Sequence, residues 1–222
     1  MEHTFKAIDS ELAALHGDVS GMGELAVTQL LSAVDAFLRH DREASARIAL
    51  EDARLDAMDS DIERRAIRFI ALRQPMADDL RAPIAAMKVA MNLERCGDLA
   101  KNIAKRTPQL KSAPEAKIAK GVGGLAALVA QRLGEVVAAY KAFDDTAAKS
   151  VWERDTDIDA LHEKVFGHIL KAMSGDPSSI EASTHLLFIT KNLERIGDHA
   201  TNIAELICYE ATGGELADRP KA

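Results

Sequence analysis

The chain has 222 residues, 47% hydrophobic and 4% aromatic, with 28 Lys+Arg against 35 Asp+Glu for a formal net charge of −7. That length and apolar content suit a packed core in one large or two smaller domains and exclude disorder. The acidic balance argues against nucleic acid as a partner, because phosphate backbones are held by clustered Lys and Arg. Few aromatics, abundant alanine and six prolines lying mostly between periodic segments predict an all-α protein.

The first periodic segment, Glu2–Arg39, places Phe5, Ile8, Leu12, Leu15, Val19 and Met22 at alternating steps of three and four, the seam of a bundle helix. Its start carries no basic stretch followed by an apolar block, so no export signal is expected and the chain is expected to be cytoplasmic. Segments Arg42–Leu72 and Asp79–Lys105 follow. Pro75 falls between them, and Pro83 falls near a helix start, where its missing N–H is tolerated. Residues 108–114 read as a linker between a first repeat, 1–107, and a second, 115–212, with 213–222 as a flexible tail. In the second repeat the predicted helices are Glu115–Ala142, Thr146–Met173 and Ser178–Glu210. The last carries a seam of Leu186, Ile189, Leu193, Ile196, Ala200, Ile203 and Ile207. Gly121, Gly123 and Gly124 read as helix-packing positions. The longest uncharged apolar run, Gly121–Ala130, is too short for a bilayer, so no membrane insertion is expected. Cys96 and Cys208 lie inside helical patterns and read as reduced core thiols.

The two repeats are copies. Asn92–Ala104 (NLERCGDLAKNIA) and Asn192–Ala204 (NLERIGDHATNIA) agree at ten of thirteen positions. Upstream the match continues at an offset of 103, through Leu30/Leu133, Asp41/Asp144, Asp52/Asp155, Asp56/Asp159 and Ile62/Val165. The fold expected is two tandem antiparallel three-helix bundles related by internal duplication, each helix of thirty residues being roughly 45 Å long.

At 100° per residue, Glu194, Asp198 and Asn202 form a stripe opposite the apolar seam, predicted to face outward from its own bundle, as do Glu94, Asp98 and Asn102. Asp52 with Asp56, and Asp155 with Asp159, flank the seam of the preceding helices, and antiparallel packing would bring them to these stripes. Like charges at i, i+4 repel by about 0.2–0.5 kcal/mol, and a mid-helix glycine, here Gly97 and Gly197, costs about 1 kcal/mol relative to alanine. Repetition of both features in both halves favours a divalent cation between carboxylates, and for the glycines a close approach by another backbone or a ligand. Ion pairing by Arg95 and Arg195 on a solvated surface is the competing reading. All-oxygen ligands suit Mg²⁺, Mn²⁺ or Ca²⁺. The residue three beyond the paired aspartates is Asp59 in one half and His162 in the other, and the imidazole would tilt the second half toward Fe, Zn or Ni. No HExxH motif, phosphate loop or nucleophile motif occurs. A phosphotransfer histidine at His162 or His199 is a minor alternative.

The doubled ERxGD signature at Glu94–Asp98 and Glu194–Asp198, the RQPMADDLR stretch at Arg73–Arg81 and the NIAE run at Asn202–Glu205 resemble the PhoU family over nearly the whole chain. The resemblance implies a non-enzymatic, cytoplasmic negative regulator of phosphate uptake and of the phosphate-starvation response. It implies an adaptor between the nucleotide-binding subunit of a phosphate ABC transporter and a sensor histidine kinase. It also implies metal held by acidic motifs, which fall here on Glu94, Asp98, Glu194 and Asp198, with Asp52, Asp56, Asp155 and Asp159 on the partner helices; Asn102, Asn202 and His162 are further candidates by their helix-face positions alone. A homodimer is left open, as are two alternatives: a helical-bundle metal-storage protein and a regulator of another ion transporter.

Overall fold

The computed structural model describes residues 2–51, 53–76, 78–214 and 216, and among these every regular element is helical. In chain order they are α1 (Glu2–Leu38), α2 (Arg42–Glu51), α3 (Ala53–Arg73), α4 (Asp78–Arg106), α5 (Ala116–Ala142), α6 (Asp145–Glu153), α7 (Thr156–Gly175) and α8 (Ile180–Thr212). Single 3-10 turns lie at Thr107–Gln109 and Pro177–Ser179.

The duplication is visible at the level of backbone hydrogen bonds. After α1, His40 takes a left-handed conformation (φ 53°), with its N–H on Phe37 O (3.0 Å) and that of Asp41 on Ala36 O (2.8 Å). After α5, Phe143 (φ 54°) repeats this with bonds to Tyr140 O (3.0 Å) and from Asp144 to Ala139 O (2.9 Å). Both are Schellman closures that satisfy the last carbonyls of a helix. The following aspartate then starts the next helix: Asp41 accepts from Ala44 N and Asp144 from Ala147 N, each at 2.9 Å. One loop thus stops one helix and caps the next.

Two expectations require correction. The predicted helix Thr146–Met173 is broken at Arg154–Asp155, where the backbone switches to short bonds such as Ile158 N to Asp155 O (3.1 Å). The break lets Arg154 reach Glu135 on α5 (2.8 Å) and lets Asp155 accept from the Thr201 hydroxyl on α8 (2.7 Å). The equivalent of Asp155 in the first repeat, Asp52, lies between α2 and α3 outside the described residues. Pro83 is the sixth residue of α4, deeper than the first turn, so its missing N–H interrupts the ladder there.

The seam of α8 is buried at every predicted position, and that of α1 is buried from Leu15 through Phe37. These seams do not form two separate cores. Buried side chains of both repeats make one continuous cluster, in which α1 and α4 of the first repeat pack on α5 and α8 of the second. At the α1–α5 crossing Gly23 is essential to the approach, since a Cβ there would sit 2.7 Å from Cγ2 of Val137. Of the predicted packing glycines, Gly121 faces Val165 and Gly123 faces Leu38, whereas Gly124 faces open space. Among the described residues α5 is the one helix long and apolar enough to cross a membrane, and 56% of its most apolar stretch is buried in this core.

Candidate functional site

Each half gathers carboxylates where the helix carrying ERxGD meets the helix before it. In the first half Glu94 and Asp98 project from α4 beside Asp56 and Asp59 of α3, close enough for their charges to act on one another. Burial and then the Asp98 charge push the Glu94 carboxyl up; burial and then Glu63 do the same to Asp59. Burial alone would raise Asp98 too, but Lys101 and Arg95 outweigh it and hold that carboxyl below its usual range. Lys101 Nζ donates to Asp98 Oδ1 at 2.6 Å, and Arg95 lies 3.3 Å from Asp98 and 3.4 Å from Glu94.

In the second half Glu194 of α8 lies beside Asp159 and His162 of α7, and Asp155, in the break before α7, lies beside Asp159. Burial, then Asp155 and Glu194, raise Asp159, while burial holds His162 low and therefore neutral near physiological pH, against the pull of Glu194 and Asp159. The internal cation here is Lys191, 2.6 Å from Glu194. Its counterpart at an offset of 100 is Met91, just as Lys101 is matched by Thr201, the hydroxyl that holds Asp155. The two halves thus present carboxylates in the same way and compensate them from different positions. Arg95 pairs with its neighbours as expected, whereas Arg195 makes no such ion pair among the described residues.

The stripes do not face outward throughout. Glu94 and Glu194 have side chains only 18% and 15% exposed. Asn202 reaches across to Asn92 of the other repeat (3.4 Å), and Asn102 is exposed. His199 Nδ1 also donates to Asn92 Oδ1 (2.9 Å), and burial holds its imidazole below the usual range. That bond engages Nδ1 of His199 at the α4–α8 contact. The close approach predicted at Gly197 is made by a core side chain, with a Cβ there falling 2.8 Å from Cδ1 of Ile158. Neither a second backbone nor a ligand is what meets it.

Carboxylate oxygens, with one imidazole in the second half, are donor types that divalent cations take. Asp56, Asp59, Glu94 and Asp98 supply oxygen only; Asp155, Asp159 and Glu194 are joined by the imidazole of His162, whose Nε2 is buried without a hydrogen-bond partner. Glu194 Oε2 is likewise buried, with the Lys191 ammonium 2.6 Å away as its ion-pair partner. Among the described residues no three His, Cys, Asp or Glu side chains converge on one point. Asp52, the remaining candidate, lies outside them. Lys101, Lys191 and Thr201 had no place in the sequence reading, although Lys101 stands at i+3 from Asp98, a spacing that pairs charges on a helix.

The duplicated helices correspond to a known domain. The PhoU domain family model matches residues 19–107 and again 122–207. The chain is 48% identical over 222 residues to a Caulobacter vibrioides protein named phosphate-specific transport system accessory protein PhoU homolog, covering 99% of this chain and 96% of that one. It is 42% identical over 221 residues to a Rhizobium meliloti protein of the same name, covering 99% and 93%. The fold superposes on the crystal structure of the phosphate transport system regulatory protein PhoU from Streptococcus pneumoniae with a TM-score of 0.88 at 30% identity, covering 95% of this chain and 99% of that one. For PhoU from Pseudomonas aeruginosa the TM-score is 0.88 at 31% identity, covering 93% and 99%. With one family domain matched in each repeat and likeness along nearly all of its length, the chain belongs to the PhoU family.

Proposed function

We propose that this protein is a cytoplasmic, non-enzymatic regulator of phosphate uptake that represses the phosphate-starvation response when phosphate is plentiful. The observation that carries this reading is whole-length identity of 48% to a protein named as an accessory of the phosphate-specific transport system. It would act as an adaptor, docking on the nucleotide-binding subunit of the phosphate ABC transporter and on a sensor histidine kinase. A single continuous core spanning both repeats supports this role, because it makes a rigid body with long helical faces. Assembly as a homodimer belongs to the same reading and is read directly by light scattering.

Divalent metal at the acidic clusters is part of the proposal. Glu94, Asp98, Asp56 and Asp59 would hold it in the first half, and Glu194, Asp198, Asp155, Asp159 and His162 in the second. When bound, the cation would supply positive charge that relieves the mutual repulsion now raising Glu94 and Asp159. The chain's own residues set the competition: Lys101 and Lys191 already neutralise part of each cluster and must yield to a cation.

Deleting the gene tests the regulatory reading. Output of a phosphate-starvation reporter should rise in phosphate-replete medium and fall back when the intact gene is restored. Unchanged output would overturn it.

A further inference from the structure

A groove of about 410 Å³ lies between the N-terminal part of α1 and the C-terminal part of α3, lined by none of the carboxylates of the two acidic clusters. Its floor is apolar, formed by Leu15 and Phe69, which are 4% and 5% exposed, and one wall is Leu72, which is 65% exposed. Its rim carries three guanidinium groups, Arg65, Arg68 and Arg73. Two of these charges are balanced inside the chain, and among the described residues that of Arg68 is the one left over on the rim.

The three arginines differ in what they already hold. Arg73 grips Glu11 through Nη2 (2.6 Å) and Nε (3.3 Å). Arg65 pairs with Asp18 and Asp61. Arg68 is exposed and makes no hydrogen bond or ion pair among the described residues, acting only on the charge of Glu11. The Arg73–Glu11 fork shows that the rim accommodates a carboxylate, and Arg68 is left to receive one from outside.

We propose that this groove docks an acidic segment of a partner protein, with an apolar side chain seated over Phe69 and carboxylates on the rim. Arg65 and Arg73 are eight residues apart on one helix, roughly 12 Å at about 1.5 Å per residue. Guanidinium groups spread over that span do not converge on a single oxyanion, whereas they match charges spaced along a peptide. The apolar floor between them adds what a bare anion has no use for and an amphipathic segment does. The groove is particular to the first repeat. At an offset of 103, Arg68 corresponds to Lys171, but Leu72 corresponds to Gly175 and Arg73 to Asp176, which removes a wall and reverses a charge. One half of a duplicated protein thus offers a face that the other lacks. The proposal rests on the adaptor reading only for the source of the acidic segment, and peptide binding is read independently of the reporter.

The test is fluorescence anisotropy with a short fluorescein-labelled peptide of repeated Glu-Glu-Leu units, titrated with the full chain at low and moderate salt. The parent should bind, more weakly as salt rises. Arg68→Glu should weaken binding by about tenfold or more, because it reverses an uncommitted rim charge without breaking an internal pair. Lys171→Glu in the second repeat should change nothing, and peptides with Gln for Glu or Ser for Leu should bind poorly. No binding by the parent would overturn the proposal. So would equal binding by the Arg68→Glu protein with an unchanged circular dichroism spectrum, or displacement of the peptide by millimolar inorganic phosphate at constant ionic strength, which would mark an oxyanion site.

Discussion

Gly197 sits in the middle of α8 between Glu194 and Asp198, and the structure gives it a packing role that can be measured. A Cβ at this position would meet Ile158 of α7 at 2.8 Å (Cδ1), 3.2 Å (Cγ2) and 3.7 Å (Cβ), and Ile158 is 3% exposed with little room to move. Alanine at 197 gains about 1 kcal/mol of helix propensity over glycine, while forcing a methyl into a filled core costs about 1–3 kcal/mol. Gly197→Ala should therefore range from neutral to about 2 kcal/mol destabilising, with a melting temperature lower by up to roughly 4–8 °C for a chain of this size. Ile158→Ala alone should cost about 2–5 kcal/mol through the cavity it leaves. In that background the nearest remaining side-chain atom is Cβ at 3.7 Å, an ordinary contact, so Gly197→Ala should stabilise by about 1 kcal/mol. The expected coupling is about 1–3 kcal/mol, read from urea unfolding of the parent, both single variants and the double variant, followed by circular dichroism with chelator present. Additivity within about 0.5 kcal/mol would refute the assignment of the glycine to the Ile158 contact.

Replacing Glu194 and Asp198 by Ala should reduce bound Fe, Zn or Ni more than replacing Glu94 and Asp98, because only the second cluster includes an imidazole with a buried, unpartnered nitrogen; equal losses by elemental analysis would show that the shared carboxylates set the preference. Burial pushes the Glu210 carboxyl up to about 7. Between an unfolded value of about 4.3 and that point the folded chain keeps a proton the unfolded chain has released, so this group's contribution to stability falls as pH rises. Glu210→Gln should leave the urea midpoint little changed at about pH 4 and raise stability at about pH 8 by roughly 1–2 kcal/mol, discounted for its partial solvent access; no gain at the higher pH would contradict a desolvated carboxylate. Cys96 is fully buried and burial pushes its thiol well above the ordinary range, so thiol reagents should label it only on unfolding; rapid labelling of the native chain in a Cys208→Ser background would be the opposing result.

Much of the secondary structure is legible from local pattern because helix periodicity and capping are local physics. The α8 seam from Leu186 to Ile207 is buried at every expected position, and Asp41 and Asp144, matched in the alignment of the two repeats, turn out to be the same N-cap used twice. Each depends on side chains within one or two turns of one another. The pairing of acidic helices was also legible in outline, since antiparallel neighbours place Glu94 beside Asp56 and Glu194 beside Asp159. The break at Arg154–Asp155 was not, because Glu135 and Thr201, which hold the freed side chains, come from other helices.

By itself the sequence determined that the protein is all-helical and duplicated, which faces are apolar, and which carboxylates recur. The tertiary structure alone decided how the two copies meet. The packing of α1 on α5 at Gly23 and of α4 on α8 through Asn92, His199 and Asn202 joins segments about a hundred residues apart and merges two seams into one core. A helical period shows which residues share a face and carries no information about which other face will cover it. For that reason Asn202, on a stripe read as facing outward, lies across the joint between the repeats, while Asn102, its counterpart in the first copy, remains in solvent.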